Sequence, residues 1–189
     1  EADMIIDGSE MITQISGWTG VRVLNRTGGN TVKVTINDTL MRIGTSGSFN
    51  FQAGVWAATR MGNWSTGYLN QYQTFAGSVF VKVNNSEIQA YAAVADRAVG
   101  IFAYGGGLIY GLAGDAVVYA HNSTIIANHA SASLRSGRCP DNGENYSGII
   151  RVFGGSLNTP ISTASCYPAR CYNTTRASGT HQPLDANCR

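Results

Sequence analysis

Val32-Lys33-Val34-Thr35-Ile36 alternates apolar and polar side chains without interruption. Strict alternation of this kind predicts a β-strand with one buried face. A shorter alternating stretch, Val21-Arg22-Val23, precedes it, and residues 25–30 between the two are rich in turn-forming Asn and Gly. The pair of stretches therefore predicts a β-hairpin with Gly28 and Gly29 at its tip.

Further stretches of the chain have the composition of β-strands: Phe49–Trp56, Ser78–Val83, Ala116–Tyr119 and Ile149–Phe153. Residues 88–102 differ, because their apolar residues fall near helical spacing and alanines are frequent, so one short helix is expected there. The remaining pattern, with turn residues at short intervals, predicts an all-β chain folded as a single β-sandwich or jelly-roll domain.

The beginning of the chain carries apolar residues on both sides of an extended segment. Met4, Ile6 and Ile12 lie on one side, and Ile5 and Met11 lie on the other. A strand that is apolar on both faces suits a site buried on both sides. We therefore expect residues 1–16 to form an extended N-terminal strand and residues 17–189 to form the β-sandwich domain.

This organisation resembles that of pilus and fimbrial subunits, which assemble by donor-strand exchange. The resemblance covers the apolar segment from Met4 to Ile12 and the Gly-, Thr- and Ser-rich β domain that follows. It implies head-to-tail homopolymers, in which Met4, Ile6 and Ile12 of one copy complete the sheet of the next. A strand that pairs within its own sheet is the alternative for the same segment.

Seven Asn-x-Ser/Thr triplets are spread almost evenly through the chain, at Asn25, Asn37, Asn63, Asn84, Asn122, Asn145 and Asn173. Each is an acceptor pattern for N-glycosylation, so the triplets predict covalent N-glycans on exposed loops. The alternative is that a chain rich in Asn, Ser and Thr forms such triplets by accident. Glycans would place the protein outside the cell or at its surface, as a mature form after removal of a signal peptide.

The four cysteines lie in the last third of the chain, at Cys139, Cys166, Cys171 and Cys188. An even number in an extracellular chain predicts two disulfides, and three pairings are open. Zinc binding is the alternative, although the spacing of Cys166 and Cys171 is loose for it and no second close pair exists. Sequential pairing, Cys139 with Cys166 and Cys171 with Cys188, closes the shortest loops. The polar residues after Cys166 are then expected to form a disulfide-clamped loop region.

A cluster of aromatic and amide residues, Trp64, Tyr68, Asn70 and Tyr72, has the composition of a glycan contact. Packing of these rings on the domain is the alternative. No nucleophile elbow, zinc-protease helix or phosphate loop occurs, and the three histidines show no metal-ligand spacing, so neither an enzyme nor a metal or cofactor is expected. Scattered arginines and the lack of a long apolar run predict neither nucleic-acid binding nor a membrane span.

Charged residues make up only 13% of the chain, so neutral polar side chains or glycans must keep its surface soluble. With the sequons and the N-terminal segment, this favours a secreted, glycosylated structural subunit that polymerises into an extracellular fibre through its N-terminal strand. The main alternative is an adhesin domain that binds a glycan or a receptor. A secreted hydrolase, whose carboxylates would converge only in the folded chain, is the third.

Overall fold

The computed structural model describes residues 2–13, 19–25, 31–45, 47–48, 52–59, 77–93, 98–105, 116–127, 134–136, 148–157, 162–163 and 169–176. All regular secondary structure in these ranges is β-strand. No helix among the described residues has the length and apolar character needed to span a membrane.

The strands follow one another in short segments along the chain. In chain order they are β1 (Ala2–Asp7), β2 (Glu10–Thr13), β3 (Thr19–Asn25), β4 (Val32–Asn37), β5 (Leu40–Gly44), β6 (Gln52–Thr59), β7 (Val79–Asn84), β8 (Glu87–Tyr91), β9 (Ala98–Gly105), β10 (Ala116–His121), β11 (Thr124–Ala127), β12 (Leu134–Ser136), β13 (Gly148–Phe153), β14 (Ser156–Leu157), β15 (Ser162–Thr163), β16 (Ala169–Tyr172) and β17 (Thr175–Arg176).

Three sheets collect these strands in rotation. Read from the N-terminal strand of each sheet, sheet A has the order β1-β4-β7-β10-β13-β16 and sheet B has the order β2-β5-β8-β11-β14-β17. Sheet C has the order β3-β6-β9-β12-β15. Strands within a sheet pair in parallel, as between β1 and β4 or between β4 and β7. Each set of consecutive strands is thus one rung of a β-solenoid, and successive rungs stack about 4.8 Å apart.

The core of the solenoid is an aliphatic column enclosed by all three sheets. In β4 the alternate residues Val32, Val34 and Ile36 are buried, and they stand in register with Val79, Val81 and Val83 of β7. Sheets B and C add Ile43, Ile88, Val55 and Ile101 to the same cluster. As predicted, the alternating sequence of these strands places one face of each strand in the core.

The predicted β-sandwich or jelly roll is wrong, because such folds are antiparallel and the three sheets here are parallel. The predicted hairpin between residues 21–23 and 32–36 is wrong for the same reason: β3 pairs with β6 in sheet C, whereas β4 lies in sheet A. Alternation specifies a strand and its buried face, but it leaves the pairing partner open.

The predicted helix over residues 88–102 is also wrong. Its two ends lie in strands β8 and β9, which belong to different sheets. The alanines that favoured a helix are instead buried between strands, where Ala90, Ala92 and Ala98 form a small cluster with Ala127.

The N-terminal segment lies in the sheets of its own chain. Strand β1 pairs with β4 and β2 pairs with β5, and a turn at Gly8 separates the two. Ile6 is buried at a core position, whereas Met4 is 40% and Ile12 is 49% exposed. Residues 2–13 thus form part of the first rung, and the apolar residues on both sides reflect two short strands joined at a corner.

The described part of the C-terminal region, residues 169–176, is not the loop that its polar composition suggested, since β16 and β17 continue sheets A and B. Cys171 is a buried residue of β16 and is not a free cysteine. Cys139, Cys166 and Cys188 lie outside the described residues. The two disulfides and their pairing therefore stay a prediction.

Candidate functional site: the turn after sheet A and the outer face of that sheet

The same tight turn connects sheet A to sheet B in every rung. Its central residue has a left-handed backbone, at Gly8 (φ 54°), Asp38 (47°), Asn85 (47°), Asn122 (45°), Gly154 (63°) and Asn173 (50°). Gly, Asn and Asp tolerate this conformation best. The backbone ladder also continues through the turns, for example from the N–H of Asp38 to the carbonyl of Asn84, at 3.1 Å.

A column of buried hydroxyl groups follows the left-handed residue. Thr39, Ser86 and Ser123 are each at most 4% exposed. The backbone N–H of Thr39 donates to Ser86 Oγ at 3.1 Å, and the N–H of Ser86 donates to Ser123 Oγ at 3.2 Å. Each hydroxyl in turn donates to a carbonyl two residues earlier in its own turn, at 2.6 to 2.7 Å. The column thus satisfies buried backbone N–H groups that would otherwise lack a partner.

The hydroxyl column is interrupted in the fifth rung, where Gly155 takes the equivalent place. Its φ is +67°, and a Cβ there would lie 2.2 Å from the carbonyl oxygen of Ser123. Only glycine fits this position, since any side chain would collide with backbone. Thr174 restores a buried hydroxyl in the sixth rung, within 3.3 Å of the carbonyl oxygens of Gly154 and Tyr172.

These turns account for four of the seven Asn-x-Ser/Thr triplets. In the triplets that begin at Asn37 and Asn84, the third residue carries the buried hydroxyl group. In the triplets that begin at Asn122 and Asn173, the middle residue carries it. Asn25 ends strand β3, and Asn63 and Asn145 lie outside the described residues. A turn that favours Asn, followed by Ser or Thr, produces sequons for structural reasons, so their number is no longer independent support for glycosylation.

The four turn asparagines have different surroundings. Asn84 Nδ2 donates to Asn37 Oδ1 at 2.7 Å, and both side chains are partly buried. Asn122 and Asn173 are exposed. Because Nδ2 is the atom that carries an N-glycan, Asn122 and Asn173 are better placed for modification in the folded protein than Asn84 is.

Aromatic rings replace these amides in the later rungs. Asn37, Asn84, His121, Phe153 and Tyr172 stand in one register column at the end of sheet A. The rings of His121 and Phe153 are stacked with centroids 4.8 Å apart, and those of Phe153 and Tyr172 with centroids 4.7 Å apart. Tyr172 is 46% exposed at the end of this aromatic stack.

Cationic side chains lie on the same outer face of sheet A. The neighbouring register column reads Thr35, Lys82, Tyr119, Arg151 and Arg170. Lys82 and Arg151 are exposed, and so is Phe80 beside Lys82. We call Lys82, Arg151 and the aromatic stack together the basic face. No Asp or Glu occurs in β4, β7, β10, β13 or β16.

The predicted glycan contact, Trp64, Tyr68, Asn70 and Tyr72, lies outside the described residues. Where the structure is described, no group of three or more His, Cys, Asp or Glu side chains is arranged to hold a metal ion. The aromatic and cationic residues that sheet A does bring together, Lys82, His121, Arg151, Phe153 and Tyr172, were not identified from sequence. They are far apart in the chain and meet only through the register of the solenoid.

The repeat that would have revealed them is present but irregular. The left-handed turn residues Gly8, Asp38, Asn85, Asn122, Gly154 and Asn173 are separated by 30, 47, 37, 32 and 19 positions in successive rungs. What recurs is an alternating strand, then Asn, Asp or Gly, then Ser or Thr, as in Asp7-Gly8-Ser9 and Asn84-Asn85-Ser86. Because the segments between rungs vary in length, a search for repeats of fixed period misses this motif.

Comparison of the chain with protein-family models, with curated proteins and with solved structures finds no match.

Proposed function

We propose that this chain is an extracellular adhesive β-solenoid that binds surface glycans on the outer face of sheet A. The observation that carries the proposal is the aromatic stack, which ends at the exposed ring of Tyr172. Sugar recognition uses apolar ring surfaces together with directional hydrogen bonds from amides and charged groups. Stacking on Phe153 holds Tyr172 in place before any ligand arrives, which lowers the entropic cost of binding.

Solenoids suit this role because their repeats form extended, rigid surfaces. Each rung places an equivalent outward position about 4.8 Å further along the axis. A linear glycan also repeats along its length, so several weak contacts add along one line. The basic face extends over β7, β10, β13 and β16, which is long enough for several sugar units.

A glycan array tests the proposal with two matched tyrosine substitutions. Tyr172→Ala removes the exposed end of the aromatic stack and is expected to weaken glycan binding at least ten-fold. Tyr91→Ala removes a partly buried tyrosine from sheet B, where Tyr91 hydrogen-bonds to Gln89 at 2.7 Å, and is expected to leave binding unchanged. Protein from a host without N-glycosylation keeps Asn173 bare. Absence of any glycan binding, or equal loss in both variants, contradicts the proposal.

Fibre formation is the second candidate, and the first rung favours it. Strands β1 and β2 each pair on one side only among the described residues. Met4 is 40% exposed, although Val34 and Val81 in the same register column are 1% and 0% exposed. Because β1 and β2 already belong to their own sheets, a second copy would add a rung to this edge instead of accepting an inserted strand.

Light scattering over a concentration series tests fibre formation. Ile12→Lys places a charge at the edge of sheet B and is expected to prevent self-association. Ile126→Lys is the matched control, because Ile126 occupies the same register column in β11, away from that edge. If the wild-type protein stays monomeric up to millimolar concentration, or if both variants behave alike, edge stacking between copies is excluded.

A further inference from the structure

We infer that the ligand of the basic face is an acidic polysaccharide, which lies along the solenoid axis with its carboxylate or sulfate groups on Lys82 and Arg151. This inference rests on the proposed function and specifies the chemical class of the glycan. Its first support is electrostatic. Lys82 and Arg151 are exposed, and neither forms an ion pair with any residue that the structure describes. Unpaired cations on one face leave a site for anions.

The distribution of acidic residues makes the net charge of the basic face positive. Strands β4 to β16 of sheet A contain no Asp or Glu, whereas β1 in the first rung contains Asp3 and Asp7. Asp38 lies in the turn beyond β4, outside the sheet. On sheet B, by contrast, the exposed Arg42 lies 3.7 Å from Glu87. Among the residues that the structure describes, the charges of Lys82 and Arg151 on sheet A thus have no acidic partner, whereas the charge of Arg42 on sheet B is paired with Glu87.

The spacing of the cations fits a repeating ligand. Lys82 and Arg151 share a register column and are separated by one rung, that of Tyr119. Two rungs correspond to about 9.5 Å along the axis. This is close to the length of two sugar units in an extended chain, so one acidic group per disaccharide would meet one cation after the other. Tyr119, between them, presents a ring to the intervening sugar.

The aromatic stack disfavours nucleic acid as the occupant. Single-stranded nucleic acids bind by stacking bases on exposed ring faces beside cations. Both faces of Phe153 are already covered, by His121 and by Tyr172. Within the stack this leaves the exposed ring of Tyr172 as the contact for the apolar face of one sugar, whereas a run of stacked bases needs several free ring faces. A net charge of only +2 for the whole chain is also small for a protein that follows a phosphate backbone.

The test measures binding of the full chain to four probes: polygalacturonate, heparin, neutral dextran and single-stranded poly(dT). We expect binding to polygalacturonate or heparin, weakened by added salt because the cations are exposed. Lys82→Ser and Arg151→Ser should each weaken it about five-fold, the effect of one surface cation near an anionic surface. Arg42→Ser makes the same charge change on sheet B and should leave it unchanged. Circular dichroism and the unfolding midpoint confirm that each variant is folded.

The outcomes separate this inference from the proposed function. Tyr172-dependent binding to neutral glycans, without salt dependence, would overturn the inference and leave the adhesive function standing. Loss of all glycan binding would overturn both. Equal weakening by Arg42→Ser would show a general charge effect and reject the basic face as the site. Binding of poly(dT) as tightly as of heparin would replace the polysaccharide with a nucleic acid.

Discussion

At the scale of single residues, the buried hydroxyl column is the feature with the clearest energetic consequence. Ser86→Ala removes the acceptor of the Thr39 backbone N–H and leaves that donor buried without a partner. An unsatisfied buried donor costs about 1–3 kcal/mol. We therefore expect the free energy of unfolding, measured by urea denaturation, to fall by about that amount.

Ser9→Ala is the matched control for this prediction. Ser9 occupies the same place in the first turn, where its hydroxyl makes an exposed hydrogen bond to the carbonyl of Asp7. The hydrogen bonds described for the structure include no N–H that donates to Ser9 Oγ. The expected loss is below about 0.5 kcal/mol, as for surface positions in general. Equal losses in the two variants would show that burial of the hydroxyl is unimportant.

Close approach between rungs and sheets makes Gly54 a second sensitive residue. A Cβ at Gly54 would lie 2.2 Å from Ile88 Cγ2 and 2.7 Å from the carbonyl oxygen of Gly100. Gly54→Ala should therefore destabilise the fold by about 1–3 kcal/mol through overpacking. Gly47→Ala is the control, because the nearest atom to its Cβ, Thr45 Oγ1, is 3.7 Å away. Thermal unfolding of both variants decides the matter, and a stable Gly54→Ala protein would refute the described packing.

At the scale of elements, strands were predictable and their pairing was not. Val32–Ile36 and Ser78–Val83 overlap β4 and β7, because alternation records which side chains are buried. The apolar run Ala116–Tyr119 lies in β10, where Ala116, Val117 and Val118 are all buried. The same alternation suits antiparallel and parallel neighbours equally, so the sequence alone led to a sandwich. Parallel pairing is instead indicated by the repeated turn, whose Ser and Thr bond to the rung above and below.

The candidate site could not be predicted from sequence for the same reason. Phe153 and Tyr172 looked like unremarkable strand-end aromatics, since nothing local shows that they stack. Their contact exists because β13 and β16 are in register, with Phe153 opposite Tyr172. A residue contact set by inter-rung register becomes predictable only once the rung boundaries are known.

The aromatic stack should stabilise the junctions among β10, β13 and β16. Phe153→Ala removes two stacking contacts, each worth about 0.5–1.5 kcal/mol beyond its buried area. Tyr172→Ala removes one and should cost about half as much. Phe80→Ala, on the same sheet with 37% exposure and no described ring contact, should cost least. Comparison of the free energies of unfolding of the three variants tests whether the stack stabilises the fold. A reversed order would show that the stack contributes nothing to stability.

At the scale of the whole molecule, stability should vary along the solenoid axis. Each rung contacts only its neighbours, so an inner rung is held on two sides and an outer rung on one. Strands β4 and β7 are paired on both sides, and their inward valines are at most 1% exposed. In the first rung, Ile5 is 68% and Met4 is 40% exposed. Local opening should therefore begin at β1 and β2.

Hydrogen exchange followed by mass spectrometry measures this gradient directly. In dilute solution we expect amides of β1 and β2 to exchange at least ten-fold faster than those of β4 and β7, because they open without unfolding the inner rungs. If a second copy adds a rung at this edge, raising the protein concentration should slow exchange in β1 and β2 selectively, and Ile12→Lys should abolish that change. An acidic polysaccharide should instead slow exchange in β7, β10, β13 and β16. Uniformly slow exchange through all of sheet A in dilute protein would contradict the gradient.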